Sequence, residues 1–251
     1  LESDRTKTQT LQDRIDQSAI KRSIKVDTEA ERVTVAYPWT QDPIKYLSRF
    51  HHGATDNYNQ AYKAYKQQCR KPQKIKEGIQ IAHRELIEKG LMIKLIDLSQ
   101  QQQDIISSSG FRHYFVWSSV LKESESTPVR LVVDPSRTGF NHIVAKGESN
   151  MAQIIVILIR SRCYSHVFST DISKLYNQLY LEDSALPFSL FLYSDELNEN
   201  ADPTIWVLVR AWYGIRSTGN QSGEALVQLA DLHSVSHPMG KEAIVRDRYV
   251  D

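Results

Sequence analysis

A short apolar stretch that ends at an aspartate is the feature that most constrains how this chain folds. Residues 163–170 carry aromatic and β-branched side chains, and such a run is typical of a buried β-strand. Asp171 follows directly, so its carboxylate would stand at the strand end, where a rigid element presents it well as a metal ligand. Tyr176 and Gln178 follow within the next turn of chain. The sequence therefore predicts a strand, a metal-binding carboxylate and an aromatic neighbour in one stretch.

An alternating pattern earlier in the chain predicts a β-hairpin. Residues 111–121 alternate and are rich in aromatic side chains, whereas residues 128–134 are rich in valine and leucine. The polar residues 122–127 join the two runs. We therefore expect a hairpin with Lys122 at its turn and Arg130 on its second strand.

A second pair of strands is predicted closer to the carboxyl end. Residues 187–193 and 204–212 form two apolar runs around a polar turn, and Tyr213-Gly214 comes directly after the second run. A helix is expected over residues 224–233. These elements would follow the Asp171 stretch in the chain.

Helical periodicity accounts for much of the rest. Residues 57–89 carry a helical pattern that is interrupted near Pro72, and Gly90 is a candidate for the helix C-cap. Residues 151–160 are expected to form a helix that packs behind the strand over residues 163–170. Residues 1–50 are expected to be an extension or linker, because the first 35 are polar and only weakly periodic.

Charge is unevenly distributed along the chain although its net value is only +1. Between residues 63 and 94 nine lysines or arginines stand against three glutamates, whereas residues 171–202 hold seven acidic residues against Lys174. A basic face with a separate acidic cluster suits a protein that binds a phosphate backbone and divalent cations. A solvated helix and an acidic loop explain the same pattern equally well.

The two cysteines, Cys69 and Cys163, form neither a metal-binding spacing nor a disulfide framework. A reduced intracellular compartment is therefore the default expectation. The longest apolar run, over residues 154–159, is too short to cross a bilayer, and no signal peptide is recognised.

The Asp171, Tyr176 and Gln178 spacing resembles the first catalytic motif of retroelement reverse transcriptases. The last four residues, Arg248-Tyr249-Val250-Asp251, resemble the Tyr-x-Asp-Asp hairpin of the same family up to its first aspartate. Tyr213-Gly214 lies between these two motifs, as the family pattern requires. The segment over residues 37–43, Tyr-Pro-Trp-Thr-Gln-Asp-Pro, resembles the one that opens the polymerase region in Bel/Pao long-terminal-repeat retrotransposons.

This resemblance implies an α+β fold that comprises the fingers and part of the palm of a right-hand polymerase, with an antiparallel palm sheet packed on helices. The implied division of the chain is as follows: residues 1–50 extension or linker, 51–150 first part of the fingers, 151–178 first part of the palm, 179–214 second part of the fingers, and 215–251 second, truncated part of the palm.

The resemblance also implies a two-metal nucleotidyl transfer onto a primer 3′-hydroxyl. The ions would be two Mg²⁺, with Mn²⁺ as an alternative, and the partners would be an RNA or DNA template with its primer and deoxynucleoside triphosphates. The implied roles are: catalysis by Asp171 and Asp251; metal binding by Asp171, Asp251 and the Ile172 carbonyl; nucleotide binding by Lys122, Arg130, Tyr176, Tyr213 and Gly214; and primer or template contact by Gln178 and Tyr249.

In such a family the polymerase is one part of a polyprotein with protease, ribonuclease H and integrase, found in cytoplasmic virus-like particles, without a membrane partner. We expect the parent protein to be an RNA-directed DNA polymerase, and the 251-residue chain alone to be inactive because a further carboxylate and a thumb are not in it.

Three other interpretations remain open from the sequence. Thr218-Gly219 stands where the family has Ser-Pro, which favours a degenerate, catalytically dead copy that at most binds nucleic acid. An RNA-templated RNA polymerase palm shares the metal aspartates, but usually lacks a bulky aromatic residue at the position of Tyr176. A plain interaction module with chance motif matches is the fourth interpretation.

Overall fold

Short helices and small sheets alternate along the chain in this computed structural model, which describes residues 10–52, 54–121, 129–147 and 154–248. The helices of these ranges are α1 Leu11–Arg22, α2 Pro43–Phe50, α3 Ala54–Cys69, α4 Gln73–Glu88, α5 Gln100–Ser108, α6 Ile154–Ser161, α7 Thr218–Leu232 and α8 Pro238–Arg246. The strands are β1 Ile24–Asp27, β2 Arg32–Val35, β3 Met92–Lys94, β4 Trp117–Leu121, β5 Val129–Val133, β6 Tyr180–Leu181, β7 Leu190–Tyr193 and β8 Thr204–Leu208.

The strands form three small sheets, so the α+β class is confirmed. Two of them are antiparallel throughout, with the orders β3-β8-β7 and β4-β5. The third has the order β1-β2-β6, and its β2–β6 pair is parallel. A purely antiparallel arrangement is therefore wrong for this pair, because β6 comes from a distant part of the chain and reaches β2 in the same direction. The right-hand polymerase arrangement stays a prediction.

Both predicted strand pairs are confirmed. Strands β4 and β5 pair from Trp117 opposite Val133 to Leu121 opposite Val129, and the turn between them lies outside the described residues. Strands β7 and β8 pair from Leu190 to Tyr193. The buried side chain of Trp117 in β4 joins the β4–β5 pair to the β7–β8 pair, because its indole Nε1 donates a hydrogen bond of 2.9 Å to the carbonyl of Leu192 in β7.

The predicted interruption of the long helical pattern is also confirmed. Helix α3 ends at Cys69 and α4 begins after Pro72, which occupies its N-cap position. Gly90 has a φ of +62°, and the amide of Leu91 donates to the carbonyl of Leu86 at 2.8 Å. A left-handed glycine with this hydrogen bond is a common helix ending, so the chain leaves α4 directly into β3.

Residues 10–50 form part of the body instead of the predicted extension or linker. Ile20 of α1 is completely buried, and it belongs to the same apolar core as Val35 of β2 and Ala225 of α7. The side-chain amide of Gln221 donates to the carbonyl of Ala36 at 2.8 Å, which ties α7 to this segment. Weak periodicity hid this packing because α1 buries few of its apolar side chains.

The strand predicted over residues 163–170 is wrong. This segment is irregular and exposed, and Phe168 is 94% accessible to solvent. A strand forms only where another backbone edge completes its hydrogen bonds, and none of the three described sheets extends to this segment. Helix α6, predicted to pack behind that strand, begins at Ile154 in the described part of the chain, and most of its apolar side chains are exposed.

Within the described ranges, no helix combines the length and the apolar character that crossing a bilayer requires.

Two of the three buried histidines among the described residues make the fold strongly sensitive to acid. His83 of α4 is completely buried and stacks on Tyr193 with 3.4 Å between ring centroids. Burial, together with a smaller effect of the nearby Lys94, lowers the pKa of His83 to about 3. Burial likewise lowers the pKa of His113 to about 3, although its Nδ1 lies 3.1 Å from the carbonyl of Phe188.

We expect these histidines to lower the free energy of unfolding as pH falls. Each stays neutral in the folded state and takes up a proton in the unfolded state below about pH 6.5, so its full contribution is present above that pH. By pH 4 each should cost on the order of 3 kcal/mol. Urea unfolding of the wild type at pH 7 and pH 4 measures this loss.

Replacing His83 with phenylalanine should remove about half of that acid sensitivity. Neither ring nitrogen of His83 has a hydrogen-bond partner among the described residues, so H83F should change stability little at pH 7. The matched variant H113F should lose the hydrogen bond to Phe188 and about 1 kcal/mol at pH 7. Equal pH dependence in the wild type and H83F would contradict this assignment.

Candidate functional site

A pocket of about 420 Å³ lies between α4, β5 and the segments that carry Lys174 and Tyr213. Its size falls in the range of small-molecule sites, and most of its lining is apolar. The residues that line it are Gly78, Ile81, Ala82, Glu85 and Leu86 of α4; Val129, Arg130, Leu131 and Val132 of β5; and Lys174, Asn177, Trp212 and Tyr213.

Close packing of α4 on β5 forms one side of this pocket. Gly78 faces Val129, and a Cβ atom at position 78 would overlap Cγ2 of Val129. Glycine therefore lets the helix approach the strand more closely than any other residue would. Since Gly78 and Val129 both line the pocket, this approach also sets the pocket's width.

Arg130 lines the pocket from β5, and its side chain is accessible to solvent. Val129 and Val133 are buried at the two ends of β5, whereas Arg130 is exposed and stands opposite Val120 in the hairpin. A guanidinium on a paired strand starts from a fixed backbone, and its planar fork of donors suits phosphate or carboxylate oxygens. Arg130, predicted to bind nucleotide, thus lines the pocket.

A tight turn places Lys174 and Asn177 on another side. The amide of Asn177 donates to the carbonyl of Lys174 at 2.8 Å. Its side-chain amide donates to the carbonyl of Ala211 at 2.9 Å, which joins the turn to the segment of Trp212 and Tyr213. The motif that follows Asp171 and the motif at Tyr213 are therefore neighbours in space although about 40 residues separate them along the chain.

Tyr176 and Tyr213 form an aromatic pair beside the pocket. Their ring centroids lie 4.9 Å apart with an interplanar angle of 48°. Burial raises the pKa of Tyr213; the Arg130 guanidinium opposes this rise and the Asp171 carboxylate adds to it. Arg130 and Asp171 are thus both close enough to act electrostatically on the same phenol.

Gly214 occupies a backbone position that favours glycine. Its φ is +91°, and a Cβ atom would lie 3.2 Å from the carbonyl oxygen of Val133. The Asn141 side-chain amide donates to the Gly214 carbonyl at 2.8 Å, which holds this conformation. The contact of Gly214 with a nucleotide stays a prediction.

The remaining predicted site residues are not among those that line the pocket. Asp171 and Ile172 lie on the exposed irregular segment and not at a strand end. Gln178 is exposed, and its side-chain amide donates to the carbonyl of Ser173 at 3.0 Å, so its primer or template role stays a prediction. Three further predicted site residues, Lys122, Tyr249 and Asp251, lie outside the described residues.

The described residues do not by themselves form a two-ion metal site. No group of three or more histidine, cysteine, aspartate or glutamate side chains in these ranges is arranged to hold an ion. The predicted acidic cluster is also dispersed, because its members pair elsewhere: Glu182 with Lys25 at 2.6 Å and Glu199 with Arg70 at 2.6 Å. Asp171 is therefore the one predicted metal carboxylate in the described part of the chain.

Sequence reasoning missed Lys174, Glu85 and Trp212 as pocket residues. In the sequence, Lys174 is a single positive charge inside the acidic stretch over residues 171–202. Glu85 is one of three glutamates inside the basic stretch over residues 63–94. Burial and the adjacent ammonium of Lys89 lower the pKa of Lys174. Lys89 in turn pairs with Glu85 at 3.4 Å. A lysine three residues after a candidate metal ligand was the available signal.

Comparison with known proteins finds neither a protein-family model nor a curated protein that matches this chain. The pocket and the residues that surround it are therefore the features that bear on function.

A double-mutant cycle tests the packing that forms the pocket. Alanine is normally preferred to glycine inside a helix by about 1 kcal/mol, but G78A should destabilise the fold by about 1–3 kcal/mol because its methyl group overlaps Val129. In a V129A background the same change should become neutral or stabilising. Urea unfolding of the four proteins measures the coupling, and a stabilising G78A in the wild type would contradict it.

Proposed function

We propose that this chain carries the nucleotide-binding part of an RNA-directed DNA polymerase of the Bel/Pao retrotransposon type. The observation that supports this most strongly is the meeting of separate sequence motifs at one pocket. Arg130 and Tyr213 both line it, although 83 residues separate them in the chain. Tyr176 contacts Tyr213, and Asp171 acts on the Tyr213 phenol.

The chemistry of this pocket suits a deoxynucleoside triphosphate. Arg130 would donate hydrogen bonds to phosphate oxygens, and the mostly apolar lining would strengthen them by excluding water. Trp212 and Tyr213 offer aromatic surface for the sugar and base. Tyr176, held against Tyr213, would leave no room for a 2′-hydroxyl and so would select deoxyribose.

The proposal assigns Mg²⁺, or Mn²⁺ in its place, to Asp171 and Asp251 with the Ile172 carbonyl. When bound, the ions would supply charge neutralisation on the triphosphate. Gln178 and Tyr249 would contact the primer and template, and the other polyprotein domains would act beside this one.

A binding-only copy is the second candidate function. The exposed, irregular placement of Asp171 favours it, because a catalytic carboxylate is normally held on a rigid element. Such a copy would bind nucleic acid without selecting a nucleotide in the pocket. Binding of dATP in the pocket, and its preference over ATP, would therefore distinguish the polymerase function from the binding-only copy.

Removal of the Arg130 side chain should weaken nucleotide binding. We expect R130A to raise the Kd for dATP in excess magnesium at least tenfold, because a charge-assisted hydrogen bond contributes about 1.5–3 kcal/mol. R137A, at an exposed arginine outside the pocket, should bind like the wild type. Isothermal titration of the 251-residue chain measures both; absent dATP binding, or equal losses in the two variants, would contradict the proposed function.

A smaller side chain at position 176 should relax the choice of sugar. The wild type should bind dATP more tightly than ATP, and Y176A should reduce that preference about tenfold, equivalent to about 1.4 kcal/mol. Y176F keeps the ring beside Tyr213 and should keep the preference. Competition titration of ATP against dATP measures the ratio. A preference that does not respond to Y176A would count against the reverse transcriptase proposal.

A further inference from the structure

The pocket has a second cation, Lys174, to which the resemblance to reverse transcriptases gives no role. Lys174 lines it together with Arg130, and the two residues come from different elements: Arg130 from β5, and Lys174 from the turn that precedes residues 175–178. β5 packs on α4, whereas residues 175–178, which directly follow Lys174, pack on α7. The two positive charges therefore reach the same cavity from independent parts of the fold.

A third cation stands beside the second. Lys89 is the C-cap residue of α4 and is adjacent to Lys174. Glu85, which also lines the pocket, pairs with Lys89 at 3.4 Å and so balances one of the two ammonium groups. Like charges held close together are unfavourable unless an anion lies between or beside them. Glu88 also acts electrostatically on Lys89, so Lys174 is the cation of this group that lines the pocket.

The backbone of Lys174 indicates that its position is imposed by the surrounding structure. Its φ of 52° and ψ of 44° lie in the left-handed region, which a lysine adopts only at some cost in free energy. Two hydrogen bonds of Asn177 fix this turn. Its backbone amide donates to the carbonyl of Lys174, and its side-chain amide donates to the carbonyl of Ala211. Local strain that the fold maintains is frequent at ligand-binding positions.

We propose that Lys174, with Lys89 beside it, binds the phosphate chain of a linear oligophosphate that lies in the pocket and extends toward Arg130. The ammonium group of a lysine is a compact charge with three donors, and it complements the planar fork of Arg130 along a chain of phosphates. The identity of the oligophosphate as part of a deoxynucleoside triphosphate rests on the proposed function. The anion site itself does not.

Inorganic tripolyphosphate in metal-free buffer is the probe that tests the anion site. K174N removes the ammonium group, and asparagine tolerates the left-handed backbone. We expect K174N to raise the Kd for tripolyphosphate at least tenfold, and K89N about threefold. K71N, at an exposed lysine outside the pocket, is the matched control and should change the Kd less than twofold.

Isothermal titration at 50 mM and 150 mM salt measures these constants, and circular dichroism checks that each variant is folded. K174G, which keeps the left-handed backbone without a side chain, replaces K174N if the latter does not fold. Wild-type affinity in K174N, or an equal loss in K71N, would overturn the proposal, since the latter result would mean diffuse attraction to the basic surface, as for a nucleic-acid backbone.

Titration of the same variants with dATP separates this inference from the proposed function. If dATP binding depends on Arg130 while tripolyphosphate binding does not depend on Lys174, the anion-site assignment fails and the proposed function stands. If tripolyphosphate binding depends on Lys174 while dATP shows no tighter binding than ATP, the assignment stands and the proposed function fails. A free oligophosphate would then be the ligand.

Discussion

The close approach of α4 to β5 at Gly78 and Val129 is the contact on which the candidate site depends. It sets the width of the pocket, and it fixes the strand from which Arg130 extends. The β4–β5 hairpin has no third strand in the described part of the chain, so this helix is the main support of β5. A two-stranded sheet is marginal by itself, which makes packing against α4 a condition for the site.

Elements that depend on local patterns are the ones that the sequence predicts well. The β4–β5 and β7–β8 pairs have short connections and clear alternation, so neighbouring residues provide both the pattern and the partner. The break between α3 and α4 follows from Pro72, and the end of α4 follows from Gly90; the backbone preferences of both residues are intrinsic. In each case the information that decides the structure lies within about thirty residues.

The failures share a different physical cause. An apolar run at residues 163–170 does not say whether another strand is available to pair with it, and here no described strand is. The parallel contact between β2 and β6 joins residues about 145 positions apart, and neither strand has a pattern that identifies the other. The sequence does not identify Lys174 as a site residue either, because its partners are distant along the chain. Its significance depends on Arg130 and Lys89, which only the folded chain brings near it.

The candidate site residues differ in how firmly the fold holds them. Arg130, Lys174 and Tyr213 rest on a strand, a hydrogen-bonded turn and an aromatic contact, so the fold itself holds the pocket surface that we propose for a nucleotide. Asp171 lies on an exposed segment without regular secondary structure, so no strand or helix holds its carboxylate for metal binding. In the proposed function, binding in the pocket would not depend on Asp171, whereas catalysis would. Nucleotide binding and catalysis would therefore be separable, with the pocket governing the first and the position of Asp171 the second.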